Sequence, residues 1–273
     1  GLIAFTILIQ LVMVVDDIWN INEKNKLIIQ AICVLGLILF SDVYITNLGN
    51  LLGLGEIQLG LFGIPFTIFC IVGMMNAFNY IDGLNGLCAS FSLVCLTSII
   101  AIVNAFNSPN LLPLILPAGA IVGFLMYNLG IFGDQRNVFL GDNGSQALGF
   151  LCLWILVYFS QFDSYGFSPV TALWLVAILF MDAVRVLLTR IISGLRGSNI
   201  FKAKRDHIHH KLQDYGFSNG LVYSVLILST VSLSALGIFL NRIFLESHYY
   251  SFYTFIILWI CFHIIVNKIP KNV

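Results

Sequence analysis

Long apolar runs, each ended by a short polar cluster, organise this chain. No Lys, Arg, Asp or Glu occurs in 57–81, 83–133, 143–162, 164–181, 215–241 or 247–267, and shorter runs of the same kind fill 1–15 and 27–41. A helix needs about 20 mostly apolar residues to cross a bilayer core. The pattern predicts an all-α, polytopic helical membrane protein with about nine transmembrane helices. The expected spans are 1–15, 27–41, 59–78, 85–104, 112–129, 145–160, 169–192, 220–240 and 249–267. The run 83–133 must hold two of them, broken at Asn104–Asn110, where Pro109 and the asparagines favour a turn. In 41–58, the longest loop between spans on the second face, Glu56-Ile57-Gln58-Leu59 alternates polar and apolar, which admits a small hairpin. No internal repeat is evident.

Composition narrows the class. The chain is 59% hydrophobic and 10% charged, against about 25% charged in soluble domains. It is read as a single membrane-embedded domain over 1–273. Gly1 is not a Met, and the residues after it are already apolar. The stretch is too long, and too little flanked by basic residues, to be expected as a signal peptide; the chain is expected to start inside or just before a span and to lack N-terminal spans. Six cysteines are scattered through apolar runs with no CxxC spacing, so they are expected to pack as small hydrophobes. His248 and His263 stand alone and are read as structural.

Charge gives the sidedness. Numbering loops by the span they follow, odd loops hold Lys24, Lys26, Arg136, Arg196, Lys202, Lys204, Arg205, Lys211, Lys268 and Lys271, with Arg185 and Arg190 at the adjoining end of the seventh span. Even loops hold only Arg242, so 12 of the 13 basic residues share a side. The positive-inside rule makes that side the cytoplasm. The formal net charge is +0, so partners follow from local charge, and no nucleic acid is expected.

Four polar clusters fall on that same side. Asp16 and Asp17 end the first span; two adjacent acids repel unless a cation is near, which suits a divalent metal or phosphate-handling pair as well as a solvated helix end. Lys24 and Lys26 follow closely enough to meet a phosphate. Asn76, Asn79 and Asp82 recur every three residues, one face of a helix, and their oxygens suit a hard cation; polar contact between helices is the rival role. Gly83 and Gly86 permit a turn and a close approach. Gly141-Asp142-Asn143-Gly144-Ser145 opens the sixth span with free N–H groups that suit an anion, and Asp142 suits a bridging metal; the plainer reading is a helix start. His207, His209 and His210 lie among Lys and Arg without a Cys, which favours a phosphorylated substrate over zinc, or else basic anchoring to anionic lipid. Together the clusters imply metal-assisted phosphoryl transfer with a lipid partner.

These motifs resemble a known family. The acidic pair, NAFNYIDGLNGL, FLGDNGSQALGF and RDHIHH are similar, in order and spacing over essentially the whole chain, to the polyprenyl-phosphate N-acetylhexosamine-1-phosphate transferases (glycosyltransferase family 4). The HIHH form and PVTALW at 169–174 look like the WecA type, which makes undecaprenyl-diphospho-GlcNAc from UDP-GlcNAc; the MraY-like pentapeptide transferases carry a different histidine string and are the alternative. The resemblance implies attack of the phosphate of undecaprenyl phosphate on the β-phosphate of a UDP-sugar with loss of UMP, starting O-antigen or another surface glycan. It implies Mg²⁺ or Mn²⁺, with Asp142 and Asn79 as metal ligands and Asp16, Asp17 and Asp82 as catalytic carboxylates. Asn76, Lys26, His207, His209 and His210 become the substrate-binding set. It implies an inner-membrane enzyme with a cytoplasmic active site, in contact with membrane lipid, and leaves a homodimer open. Asn85 stands where the WecA type usually has Asp; Ile18 replaces a common Arg and Asn20 an Asp. The rival classes are an ion-coupled transporter, whose acids sit near the midplane in broken helices, and a structural scaffold; neither explains one-sided clustering.

Overall fold

Each apolar run becomes a helix, because backbone groups in hydrocarbon must be satisfied within their own segment. The computed structural model describes residues 1–19, 21–105, 111–162, 167–195, 205–244 and 247–269, and their side chains except at 15–19, 105 and 134. The helices are α1 (Leu2–Trp19), α2 (Glu23–Ser41), α3 (Gly63–Ile81), α4 (Leu87–Ala105), α5 (Leu112–Asn128), α6 (Gly141–Ser160), α7 (Pro169–Leu175), α8 (Ala177–Leu195), α9 (Ile208–Asp214), α10 (Asn219–Ile243) and α11 (His248–Lys268). All nine expected stretches are helical. Among the described residues, six helices are long and apolar enough to cross a membrane: α2, α3 with the turn before it, α4, α6, α10 and α11. The apolar part of α1 and the whole of α5 are shorter.

The stretch 169–192, expected as one span, is two helices meeting at 86°; counted as one span they raise the total to seven. The chain leaves helical geometry at Val176 (φ −121°, ψ 24°), with neither proline nor glycine at the break. Tertiary packing holds it. Trp174 is fully buried against α10 and α11, where its indole N–H donates to Ser251 Oγ at 2.9 Å. Gly237 of α10 lies so close to Trp174 that a Cβ there would collide with it. After the break, Leu187, Ile191 and Leu195 form an exposed apolar stripe along α8.

Local signals set other boundaries. Asn22 caps α2 through its side chain, which accepts from the Lys24 N–H, and Ser218 caps α10 by accepting from Leu221 N–H. Such caps contribute about 1 kcal/mol each. Helices α3, α4 and α6 form the centre, and α3 and α6 touch closely: a Cβ on Gly149 would lie 3.0 Å from the Met75 backbone. Small residues allow this approach between membrane helices.

The loops sort to two ends. At one, Gln161 Oε1 accepts from Thr46 and Asn47 N–H groups at 2.8 and 3.1 Å, and Tyr253 donates to the Leu52 carbonyl. The expected hairpin there is a single bridge, Asn47 to Gln58, not a ladder. The opposite end gathers the α1–α2, α3–α4 and α5–α6 connections and α9. Cys33, Cys88, Cys95 and Cys152 are buried, and none of the six cysteines is in a disulfide.

Candidate functional site

The polar end is assembled across helices. Gln30 of α2 donates to Gln146 of α6 at 2.6 Å, and Asn76 of α3 donates to Gln30 Oε1 at 3.0 Å. Asn76 Nδ2 also reaches its own Val72 carbonyl at 2.8 Å. Asn76 thus joins α3 to α2, and Gln30 carries the link on to α6, the polar-contact role that is the rival for this cluster. One turn on, Asn79 Nδ2 donates to Ser145 Oγ at 3.1 Å, and Ser145 donates to the Asp142 carbonyl at 3.1 Å. The second and third clusters are thereby joined, with Asn79 Oδ1 left as the amide's acceptor.

Asp82 caps the end of α3, half-buried. Burial pushes its carboxyl up to about 7, and the negative charge of Asp142 adds to the rise. Asp142 itself is exposed in the first turn of α6, just past Gly141 (φ 66°). Two carboxyls that repel each other, beside an amide oxygen, form a hard oxygen donor set that fits Mg²⁺ or Mn²⁺. Among the described residues, which leave out the side chains of Asp16 and Asp17, no group of three His, Cys, Asp or Glu is arranged as a metal cage. Asp16 and Asp17 lie on the last turn of α1, which packs against α6; their side chains, that of Ile18, and Asn20 altogether lie outside the described residues. So do Arg196, Lys202, Lys204, Lys271 and the turn at 106–110. Lys26 is largely buried in the first turn of α2, 3.7 Å from Glu23.

The histidines divide. His209 is fully buried, and its ring lies over Gly83, where any Cβ would strike it. Neither ring nitrogen has a hydrogen-bond partner. Burial, then the positive charge of His210 and His207, pulls its pKa from 6.5 to about 3. His210 is the most exposed of the three and contacts Gln213 Oε1 at 3.2 Å. His207 faces elsewhere: its Nδ1 lies 2.9 Å from Asp182 Oδ2 and its ring 5.3 Å from that of Tyr80.

An apolar groove of about 740 Å³ opens beside this end. Phe69, Gly73, Leu153, Val176 and Leu187 line it, from α3, α6, the α7–α8 break and α8, and Tyr80, Arg190 and His207 are among its polar lining. A smaller pocket of about 370 Å³ lies on the same face, between Gly83-Leu84-Asn85 and the start of α10. One-dimensional reading missed Asp182 and Gln30, gave Ser145 and Gln146 no partner although both stand in the third cluster's motif, and noted Arg185 and Arg190 only as charges. A signal for Asp182 existed: an acid and an Arg three residues apart inside an apolar run mark an intramembrane site by default.

Fold and site together define a multi-pass helical membrane protein with an acidic, amide-rich and histidine-bearing face beside an apolar groove. The chain belongs to glycosyl transferase family 4, whose sequence model matches residues 1–160. It is 35% identical over 225 residues to the undecaprenyl-phosphate alpha-N-acetylglucosaminyl 1-phosphate transferase of Escherichia coli strain K12, covering 82% of this chain and 60% of that relative. The protein of the same name from Pasteurella multocida is 32% identical, covering 98% of this chain and 74% of its own length. That from Yersinia pestis is 31% identical over 84% of this chain and 62% of its own. The chain thus spans about three fifths of the length of the enterobacterial relatives.

Proposed function

We propose that this protein transfers GlcNAc-1-phosphate from UDP-GlcNAc to undecaprenyl phosphate, releasing UMP, as the first step in building O-antigen or another surface glycan. One observation carries the reading: an apolar groove that can take part of a polyprenyl tail reaches Arg190, His207 and Tyr80, on the face where Asp82, Asp142 and Asn79 gather. A lipid phosphate seated there has its tail in the groove and its head at the polar site. The names of the relatives support undecaprenyl phosphate as acceptor and N-acetylglucosaminyl 1-phosphate as the group transferred.

In the proposed reaction a lipid-phosphate oxygen attacks the β-phosphorus of the UDP-sugar. The new P–O–P bond forms, the bond from the β-phosphorus to the bridging oxygen breaks, and UMP leaves with that oxygen. Asp142 and Asn79 would hold Mg²⁺ or Mn²⁺, which when bound neutralises diphosphate charge. Asp82, poised near neutrality, is suited to take a proton from the lipid phosphate; Asp16 and Asp17 share the role of catalytic carboxylates. Lys26, Asn76, His209 and His210 belong to the sugar-nucleotide side. The bias of basic residues supports a cytoplasmic site in the bacterial inner membrane.

The test is UMP release by the purified full-length protein with undecaprenyl phosphate and a panel of UDP-sugars, with and without EDTA. Release is expected only with both substrates and a divalent ion, and fastest with UDP-GlcNAc. Release without lipid phosphate or without metal, or none at all, sinks the proposal. Asp142→Asn is expected to insert normally and to lose at least about 100-fold in turnover, the scale of one transition-state electrostatic contact.

A further inference from the structure

Within α8 sits a charged group that the reaction above leaves unused. Asp182 and Arg185 are both almost fully buried and paired at 2.7 Å. Arg185 also reaches the Asp206 carbonyl and, at 3.2 Å, Asn267 of α11. Asp182 accepts from the Ile208 N–H at 3.2 Å and from His207 Nδ1 at 2.9 Å. The carboxylate thus has partners on its own helix and at the start of α9. A buried acid is costly unless paired and hydrogen-bonded; Arg185 holds Oδ1, and His207 Nδ1 is the closest partner of Oδ2.

The pairing fixes the imidazole. An ionised carboxylate only accepts, so Nδ1 carries the proton, and Nε2 is left as an acceptor for the P–OH of a monoprotonated phosphate. The ring lines the apolar groove with Arg190 and Tyr80, away from Gly83, which His209 covers.

We propose that Asp182 is a positioning residue that orients His207 to bind the phosphate of the polyprenyl acceptor at the end of the apolar groove. This rests on the transferase reading for the nature of the acceptor. It separates the histidine motif by task, with His207 on the lipid side and His210 on the nucleotide side. Asp182→Asn tests it well: the amide oxygen still accepts from Ile208 N–H and Arg185, but its NH₂ facing Nδ1 forces the other tautomer, so that Nε2 carries the proton and no longer accepts from the phosphate hydroxyl, a tautomer change of the kind known when the aspartate of a Ser-His-Asp triad is changed to asparagine.

The experiment compares wild type, Asp182→Asn, His207→Gln and the double variant, all full-length in nanodiscs. It measures the Kd for undecaprenyl phosphate by native mass spectrometry and the KM of each substrate. Asp182→Asn is expected to weaken lipid-phosphate binding about tenfold, His207→Gln by as much, and the double variant by no more than either. The KM for UDP-GlcNAc should stay within about twofold. Unchanged lipid binding, additive losses, or an equal rise in the UDP-GlcNAc KM overturns the proposal. If Asp182→Asn does not fold, Asp182→Glu keeps the charge beside Arg185 while shifting the carboxylate, and the same criteria apply. Wild type that binds lipid phosphate with this Asp182 dependence but releases no UMP removes the transferase reading and leaves the positioning role standing. Transfer with an Asp182-independent lipid KM does the reverse.

Discussion

His209 has no room for a second conformation: its ring is covered by Gly83 and its two nitrogens have no partner. Gly83→Ala is expected to push the ring aside and cost about 1–3 kcal/mol, the range for overpacking, read as a lower melting temperature in detergent. The low pKa of His209 also predicts a pH dependence. Folded, it protonates only near 3; unfolded, near 6.5. The unfolded state therefore binds the proton more readily across that window. The contribution to stability is complete above about 6.5 and is lost as pH falls toward 3. His209→Phe, which packs but does not titrate, should flatten the fall in melting temperature between pH 7 and pH 4; an unchanged slope means that other groups dominate. Residue types alone showed that Asp82, Asp142 and Asn79 suit a cation. The partners that turn Asn76 to Gln30 and Asn79 to Ser145 lie 46 and 66 residues away, and local periodicity has no access to them.

Helix positions were legible because lipid enforces internal hydrogen bonding over a fixed length. The α7–α8 break was not, because its apolar run is continuous and no breaker residue marks Val176. The break depends on Trp174 meeting Gly237, 63 residues later in the chain. Gly237→Leu should displace Trp174, lower the melting temperature, and disturb the groove together with it. Gly73 offers a cleaner probe of the groove. It lines the cavity, and a Cβ there meets nothing within 4 Å, so Gly73→Phe should fold normally. If the groove holds the polyprenyl tail, this variant raises the KM for undecaprenyl phosphate about tenfold or more and leaves that for UDP-GlcNAc alone. Equal change in both would place the tail elsewhere.

At the scale of the molecule, charge and packing agree on two ends. The loop carrying Leu54 lies by Tyr249 and Tyr253, and the histidine turn lies at the far ends of the helices. Leu54→Cys, 89% exposed, and Tyr215→Cys, 50% exposed, are therefore expected to react with an impermeant thiol reagent from opposite faces of the membrane, Tyr215→Cys from the cytoplasmic one. Labelling from the same face would undo the topology. By itself, the sequence determined that this is a multi-pass helical protein and that its polar clusters share one end, since hydropathy and positive charge act over a few residues at a time. It also carried the motifs by which the family is identified. Only the tertiary structure decided which clusters touch, that one predicted span bends by 86°, and that His207 pairs with Asp182 beside an apolar groove while His209 is buried under Gly83. Those outcomes depend on side chains from distant helices competing for the same space, and no local pattern encodes that competition.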